Sequence, residues 1–270
     1  MKKYFSLILL VVMILSVAAC DSSADTEKPT VYVSTTYSET GTTPSQTQTK
    51  AEETSTKKQG KLSGFKILLD AGHGCTKTYT EQIAPGSDAT TVESPNTGTT
   101  GVSTGKSEAE LTLAIALKLQ KRLKKLGATV YMVRSTEGTT LSLRQRAEMG
   151  NEKQVDLVLR IHADGVDDSS VQGASLLYPS TDYTEKEICE SSKWAAECIL
   201  EEYISATELN NRGTVERNDL VGFNYTEVPS VLIELGFMTN PQEDELMWKT
   251  DFQNKMTDGI CKGILNYAKK

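Results

Sequence analysis

Three short apolar runs in this chain each stop on a residue able to bind a metal or carry a proton. KILLDAGHG reaches His73, VDLVLRIHAD reaches His162, and SVLIELGF reaches Glu234. In the first, Ile67, Leu68 and Leu69 form the continuous apolar stretch of a strand buried on both faces, which Gly72 and Gly74 terminate. In the second, Val155, Leu157, Leu159 and Ile161 alternate as in a strand. Parallel sheets collect functional groups at the carboxyl ends of their strands. His73 and His162 are also the only two histidines of the 270 residues.

Helical patterns separate the runs. In SEAELTLAIALKLQKRLKKLG, Leu111, Ile115, Leu119 and Leu123 recur every fourth position, Ser107 and Glu110 form a capping box, and Gly127 is a natural stop. That register aligns Glu108 with the buried stripe and leaves Glu110 as a solvated cap. A lone carboxylate on the buried side would cost several kcal/mol, so Glu108 calls for a partner, which a metal would supply. The plain alternative is a surface glutamate favoured by the helix dipole. Further strands are expected at 129–134, 174–178 and 230–233, and helices at 139–151, 185–204 and about 244–267. Trp194, Cys189 and Cys198 on the 185–204 helix read as core. This alternation predicts an α/β fold, a three-layer α/β/α arrangement with a mostly parallel sheet. Strand ends and helix starts share one rim there, so His73, Glu108, His162 and Glu234 can meet. The Gly-, Thr-, Ser- and Pro-rich segment 75–106 reads equally as a lid or as a functionless insertion.

At the other end of the chain, Lys2 and Lys3 precede an apolar run from Leu7 to Val17 that leads to Val-Ala-Ala-Cys20. This reads as a secretory signal over 1–19, too short to span a bilayer. It resembles a bacterial lipoprotein signal, in which the peptide is cut before the cysteine and Cys20 carries the lipid. Residues 20–61 are Ser- and Thr-rich with almost nothing large and apolar, a linker with an r.m.s. reach of roughly 35 Å. The folded domain is expected over 62–270, outside the cytoplasm, on the outer face of the cell membrane and facing the wall. A formal charge of -7 argues against nucleic acid.

Two neutral imidazoles and a carboxylate are a catalytic zinc shell with one position left for water. A second carboxylate can take the proton of that water and hand it to a departing amine, so the four residues account for an amide hydrolase. The local zinc-protease spacing H-E-x-x-H is absent. Cys75 is a conceivable competing ligand, but no second cysteine lies near it. Cys189, Cys198 and Cys261 read as core or as one disulfide.

From about Phe65 to Tyr267 the chain resembles the zinc-dependent N-acetylmuramoyl-L-alanine amidases called amidase type 3. DAGHG resembles D-P-G-H-G at His73, EAELTLAIAL resembles E-K-x-L-x-L-x-I-A-L at Glu108, and RIHAD resembles S-I-H-A-N at His162. Leu143, Arg146 and Asn151 fit L-x-x-R-x-x-x-A-N, and VLIELGFMTN fits V-x-x-E-x-G-F-x-x-N at Glu234. The resemblance implies a sheet of about six strands and one zinc ion on His73, Glu108 and His162, with Glu234 as catalytic acid/base. The implied reaction cuts the amide between N-acetylmuramic acid and L-alanine in peptidoglycan. Ala71, Arg160 and Asp164 depart from the pattern without removing a ligand. Arg160 reads as a surface salt bridge or as a contact to a substrate carboxylate. Competing readings are a zinc peptidase cutting within the stem peptide and a non-catalytic wall-binding lipoprotein. The sequence names no activating protein partner.

Overall fold

The computed structural model describes residues 60–87, 91–94 and 97–269. The expected signal peptide, Cys20 and all but the last two residues of the expected linker lie outside the described residues. The elements run β1 (Lys66–Ala71), β2 (Tyr79–Gln82), β3 (Thr91–Ser94), α1 (Glu108–Lys125), β4 (Thr129–Met132), α2 (Leu143–Lys153) and β5 (Leu157–Asp164). They continue with β6 (Ala174–Pro179), α3 (Lys186–Thr207), β7 (Asn211–Arg217), α4 (Val221–Asn224), β8 (Ser230–Phe237), α5 (Pro241–Met247) and α6 (Thr250–Tyr267).

Six strands form one sheet in the order β4-β1-β5-β8-β6-β7. Every pairing is parallel except β6 with β8. Alternation along the strands decides which helices cover each face. Ile67, Leu69, Leu157, Leu159, Val231 and Ile233 join the core built with α1, α3 and α6. On the opposite face Leu68 and Val158 pack beside Leu141 and Met149, and Leu177 and Leu232 pack on Phe223 of α4. The expected layering and mostly parallel sheet are therefore present. The two layers of helix are unequal, with the thinner one made by α2 and α4. Helix α6 meets α3 so closely that a Cβ on Gly263 would lie 2.4 Å from the Ile199 Cα, so glycine is required there.

Several details differ from the expectations or decide between them. The segment after Cys75 contains the antiparallel β2–β3 hairpin, whose Glu81 caps α2 by accepting from the Leu143 N–H at 3.0 Å and the Ser142 hydroxyl at 2.5 Å. The expected C-terminal helix is two helices, broken at Trp248 and Lys249, where the Gln253 side chain donates to the Met247 carbonyl. Trp194 is 40% exposed, because the buried stripe of α3 is Ser192, Ala195, Ala196, Ile199 and Tyr203 and Trp194 projects from the other side. Cys189, Cys198 and Cys261 are buried free thiols, so no disulfide joins them. Burial pushes the Cys261 thiol up to about 12 and Cys189 up to about 11, which leaves both unreactive.

Candidate active site

A turn, a helix start and a strand deliver His73, Glu108 and His162 to one point. His73 follows β1 in a left-handed conformation with φ 60°, unusual for a residue with a side chain. Arg146 of α2 holds that turn by donating to the His73 carbonyl at 2.9 Å. Arg134 clamps it from the other side, donating to the carbonyls of Ala71, Gly72 and Ala109. Gly72 must be glycine, since a Cβ there would lie 2.6 Å from the His162 ring. Glu108 opens α1, capped by Ser107 and Glu110 as expected, and is 3% exposed. His162 and Glu234 lie inside β5 and β8 rather than beyond their ends, and they are paired in register on these adjacent strands.

The ligand atoms of the first three residues form a small triangle. His73 Nε2 is 2.9 Å from Glu108 Oε1, His162 Nδ1 is 3.0 Å from the same oxygen, and the two ring nitrogens are 3.2 Å apart. A tetrahedral zinc with bonds of about 2.0 Å separates its ligands by roughly 3.3 Å, so the donor set and its spacing suit that ion. Among the described residues this is the cluster of histidine, cysteine and acidic groups able to hold a metal, and Cys75 does not belong to it. Glu108 is also fixed by backbone, since Oε1 accepts from the Ala163 N–H and Oε2 from the Thr99 N–H. Burial alone would raise its carboxyl, but hydrogen bonds from His162 and His73 outweigh this and hold it below the usual range.

Glu234 lies beside this triangle in a different state. Its Oε2 is buried and accepts no hydrogen bond among the described residues. Burial pushes the carboxyl well above its ordinary value, Asp164 and Glu108 push the same way, and Arg217 opposes only in part. All four residues singled out in the sequence therefore gather at one rim, while Cys20 lies outside the described residues.

Under the site sits an ionic triad whose full extent the sequence reading missed. Buried Asp70 accepts from Arg146 at 3.2 Å and from Arg160 at 2.7 Å. Burial opposes its ionisation, yet the two guanidinium groups outweigh burial and hold the carboxyl below its ordinary value. Arg160 is thus no surface salt bridge: it is 5% exposed, and its second donor goes to the Gly222 carbonyl. Any side chain at 222 would meet the guanidinium at 2.5 Å, so Arg160 depends on that glycine. A cavity of about 170 Å³ lies between the triad and the histidines, walled by Leu143, Leu220, Val221 and Leu232. An acidic residue inside an otherwise apolar strand was the available signal for Asp70.

Known proteins share this architecture. A germination-specific N-acetylmuramoyl-L-alanine amidase of Bacillus subtilis is 30% identical over 220 residues, covering 76% of this chain and 81% of that protein. The N-acetylmuramoyl-L-alanine amidase AmiA of Escherichia coli is 26% identical over 251 residues, covering 78% and 79%. The crystal structure of Ami1, an N-acetylmuramyl-L-alanine amidase from Mycobacterium smegmatis, superposes with a TM-score of 0.69 at 26% identity, covering 76% of this chain and 97% of that one. Residues 67–266, which include the histidine–glutamate triangle, Glu234 and the triad beneath them, match the family Amidase_3, N-acetylmuramoyl-L-alanine amidase, and the chain belongs to it.

Proposed function

We propose that residues 62–270 are a zinc-dependent catalytic domain that hydrolyses the amide between N-acetylmuramic acid and L-alanine in peptidoglycan. His73, Glu108 and His162 hold one zinc ion, and Glu234 is the acid/base. The observation that carries this reading is the triangle of three ligand atoms 2.9–3.2 Å apart, with a partnerless buried carboxylate on the next strand. A zinc held there supplies activated water at neutral pH. Glu234 takes a proton during attack on the lactyl carbonyl and returns it to the amine of the departing L-alanine. Its raised pKa moves it toward the working pH, where one carboxyl can serve as both base and acid. Arg134, Arg146 and Asp70 hold the His73 turn in place.

The reading predicts that residues 60–270, given purified peptidoglycan, release stem peptides with a free L-alanine amine. A chelator should abolish the release and added zinc should restore it, with fragments identified by mass spectrometry. Cuts within the stem would transfer the assignment to a peptidase, and zinc binding without fragments would leave a wall-binding protein.

The Val-Ala-Ala-Cys20 stretch, preceded by its short apolar run, supports export and lipid attachment at Cys20 on the outer face of the membrane. Among the described residues no helix is long and apolar enough to cross a membrane. A Cys20→Ser chain should lose metabolic labelling by a fatty acid, and equal labelling of both chains would sink the assignment.

A further inference from the structure

A second cavity, about 600 Å³, runs along the junction of α1 and α6. Its α1 wall begins at Lys118, ten residues beyond Glu108 and therefore roughly 15 Å along the helix axis, away from the rim that bears the site. Lys118, Lys121, Arg122, Lys125 and Lys262 line it, against the single carboxylate of Asp258. Arg122 is paired with that aspartate. The four lysines enter no ion pair among the described residues. They stand out in a chain whose formal charge is -7. A helix C-terminus favours cations in its last turn, which explains Arg122, Lys124 and Lys125. It does not explain Lys118, a turn earlier, or Lys262 on another helix.

The place where the preceding chain joins the domain bears on the occupant. The Leu62 N–H donates to the Leu126 carbonyl at 2.8 Å, and Leu126 is part of the cavity wall. Gly60 packs on the same carbonyl so tightly that a Cβ would lie 2.4 Å from it. The preceding chain is therefore joined to the domain beside this groove. Lys57, Lys58 and Lys61 add positive charge along that exit in the sequence.

We infer that the groove between α1 and α6 is a docking surface for anionic phospholipid headgroups of the membrane to which the chain is tethered. The choice of partner rests on the reading of Cys20 as the lipid attachment site. Ammonium groups on mobile stems suit phosphodiesters as point charges, and each contributes about fivefold to partitioning on an anionic surface. With the groove against the bilayer, Glu108 lies roughly 15 Å along α1 from the nearest of the groove lysines, Lys118. Docking thus holds the domain close to the membrane, and release lets the linker carry it further out.

The test uses residues 60–270, because the buried apolar core among the described residues lies wholly between Leu62 and Tyr267. The domain is sedimented with vesicles of phosphatidylcholine alone or mixed with phosphatidylglycerol, at low and high salt. Binding is expected only to the mixed vesicles and only at low salt. A variant with Lys118→Gln, Lys121→Gln, Lys125→Gln and Lys262→Gln should bind at least about a hundredfold more weakly with an unchanged unfolding midpoint. Lys262→Glu alone, at an exposed position, should weaken binding severalfold and guards against misfolding of the quadruple variant. Wild-type binding by both variants, or equal binding to neutral vesicles, would overturn the docking. So would retention on immobilised polyglycerol phosphate without vesicle binding, which would assign the groove to a wall polymer. The assay involves neither hydrolysis nor the lipid on Cys20, so its failure is separable from failure of those readings.

Discussion

On the proposed mechanism, replacing Glu234 by glutamine will yield a protein that still binds zinc, turns over about 10²- to 10⁴-fold more slowly, and is more stable than the parent. The kinetic loss follows from removing the proposed proton carrier while the three proposed metal ligands stay untouched. The gain in stability follows from the environment of the carboxyl, whose Oε2 is buried without a partner. Its folded pKa is raised, so folding favours the protonated form. The wild-type protein is therefore penalised progressively as pH rises from the unfolded value, about 4.3, through the raised folded value. Glutamine has the same shape and no charge, and escapes that penalty. Urea unfolding of the metal-free proteins at pH 5 and pH 8 should show the variant ahead by about 1 kcal/mol or more at the higher pH, with a smaller gap at the lower. A variant that is active within a few fold of the parent, or less stable at pH 8, would remove Glu234 from this role.

The second large effect is at Asp70. Asp70→Ala leaves Arg146 and Arg160 buried without their shared counter-charge, and losing one partner of a buried ion pair typically costs about 3–5 kcal/mol. The damage also reaches the proposed metal centre, because Arg146 holds the His73 carbonyl. Zinc affinity, measured by competition with a chelating dye, should fall along with stability. The pH dependence has the opposite sign to that of Glu234. The folded pKa of Asp70 is lowered, so its contribution is complete above the unfolded value, about 3.9, and is lost as pH falls through the depressed one. Acid unfolding should therefore be shallower in the variant. A loss below about 1 kcal/mol would mean that the arginines find other partners.

These two residues also mark what a sequence can reveal. Glu234 ends an apolar run and His73 and His162 end two others, so local pattern was enough to nominate them. Glu108 was legible through helical phase, because a three- to fourfold repeat fixes which side of α1 is buried. The Asp70 triad was not legible, since it exists only when β1 pairs with β5 and α2 crosses above them. The β2–β3 hairpin escaped because its composition is that of a loop and its order comes from tertiary contacts such as the Glu81 cap on α2. Strand β7, Asn-Arg-Gly-Thr-Val-Glu-Arg, lies at the sheet edge with no fully buried residue, so it lacks the alternation that betrays inner strands. The break between α5 and α6 carries neither glycine nor proline, the usual punctuation.

The pairing of His162 with Glu234 in one register of β5 and β8 has a consequence for how such a site can drift. Neighbouring strands in any sheet stand about 4.8 Å apart, a gauge maintained by backbone hydrogen bonds whatever the side chains are. The spacing of the two backbones that carry the proposed ligand and the proposed acid is thus insulated from most substitutions elsewhere, and the register shifts only beyond His162. Glu108 is held differently: it arrives on a helix, its carboxylate accepts from the Ala163 and Thr99 N–H groups, and its reach also depends on Leu111, Ile115 and Leu119 seating α1 at the right height. On the proposed reading, slow erosion of that seat would weaken metal binding before it disturbed the acid, so relatives that have lost activity by packing changes alone should first be found empty of metal with the residue matching Glu234 still aligned.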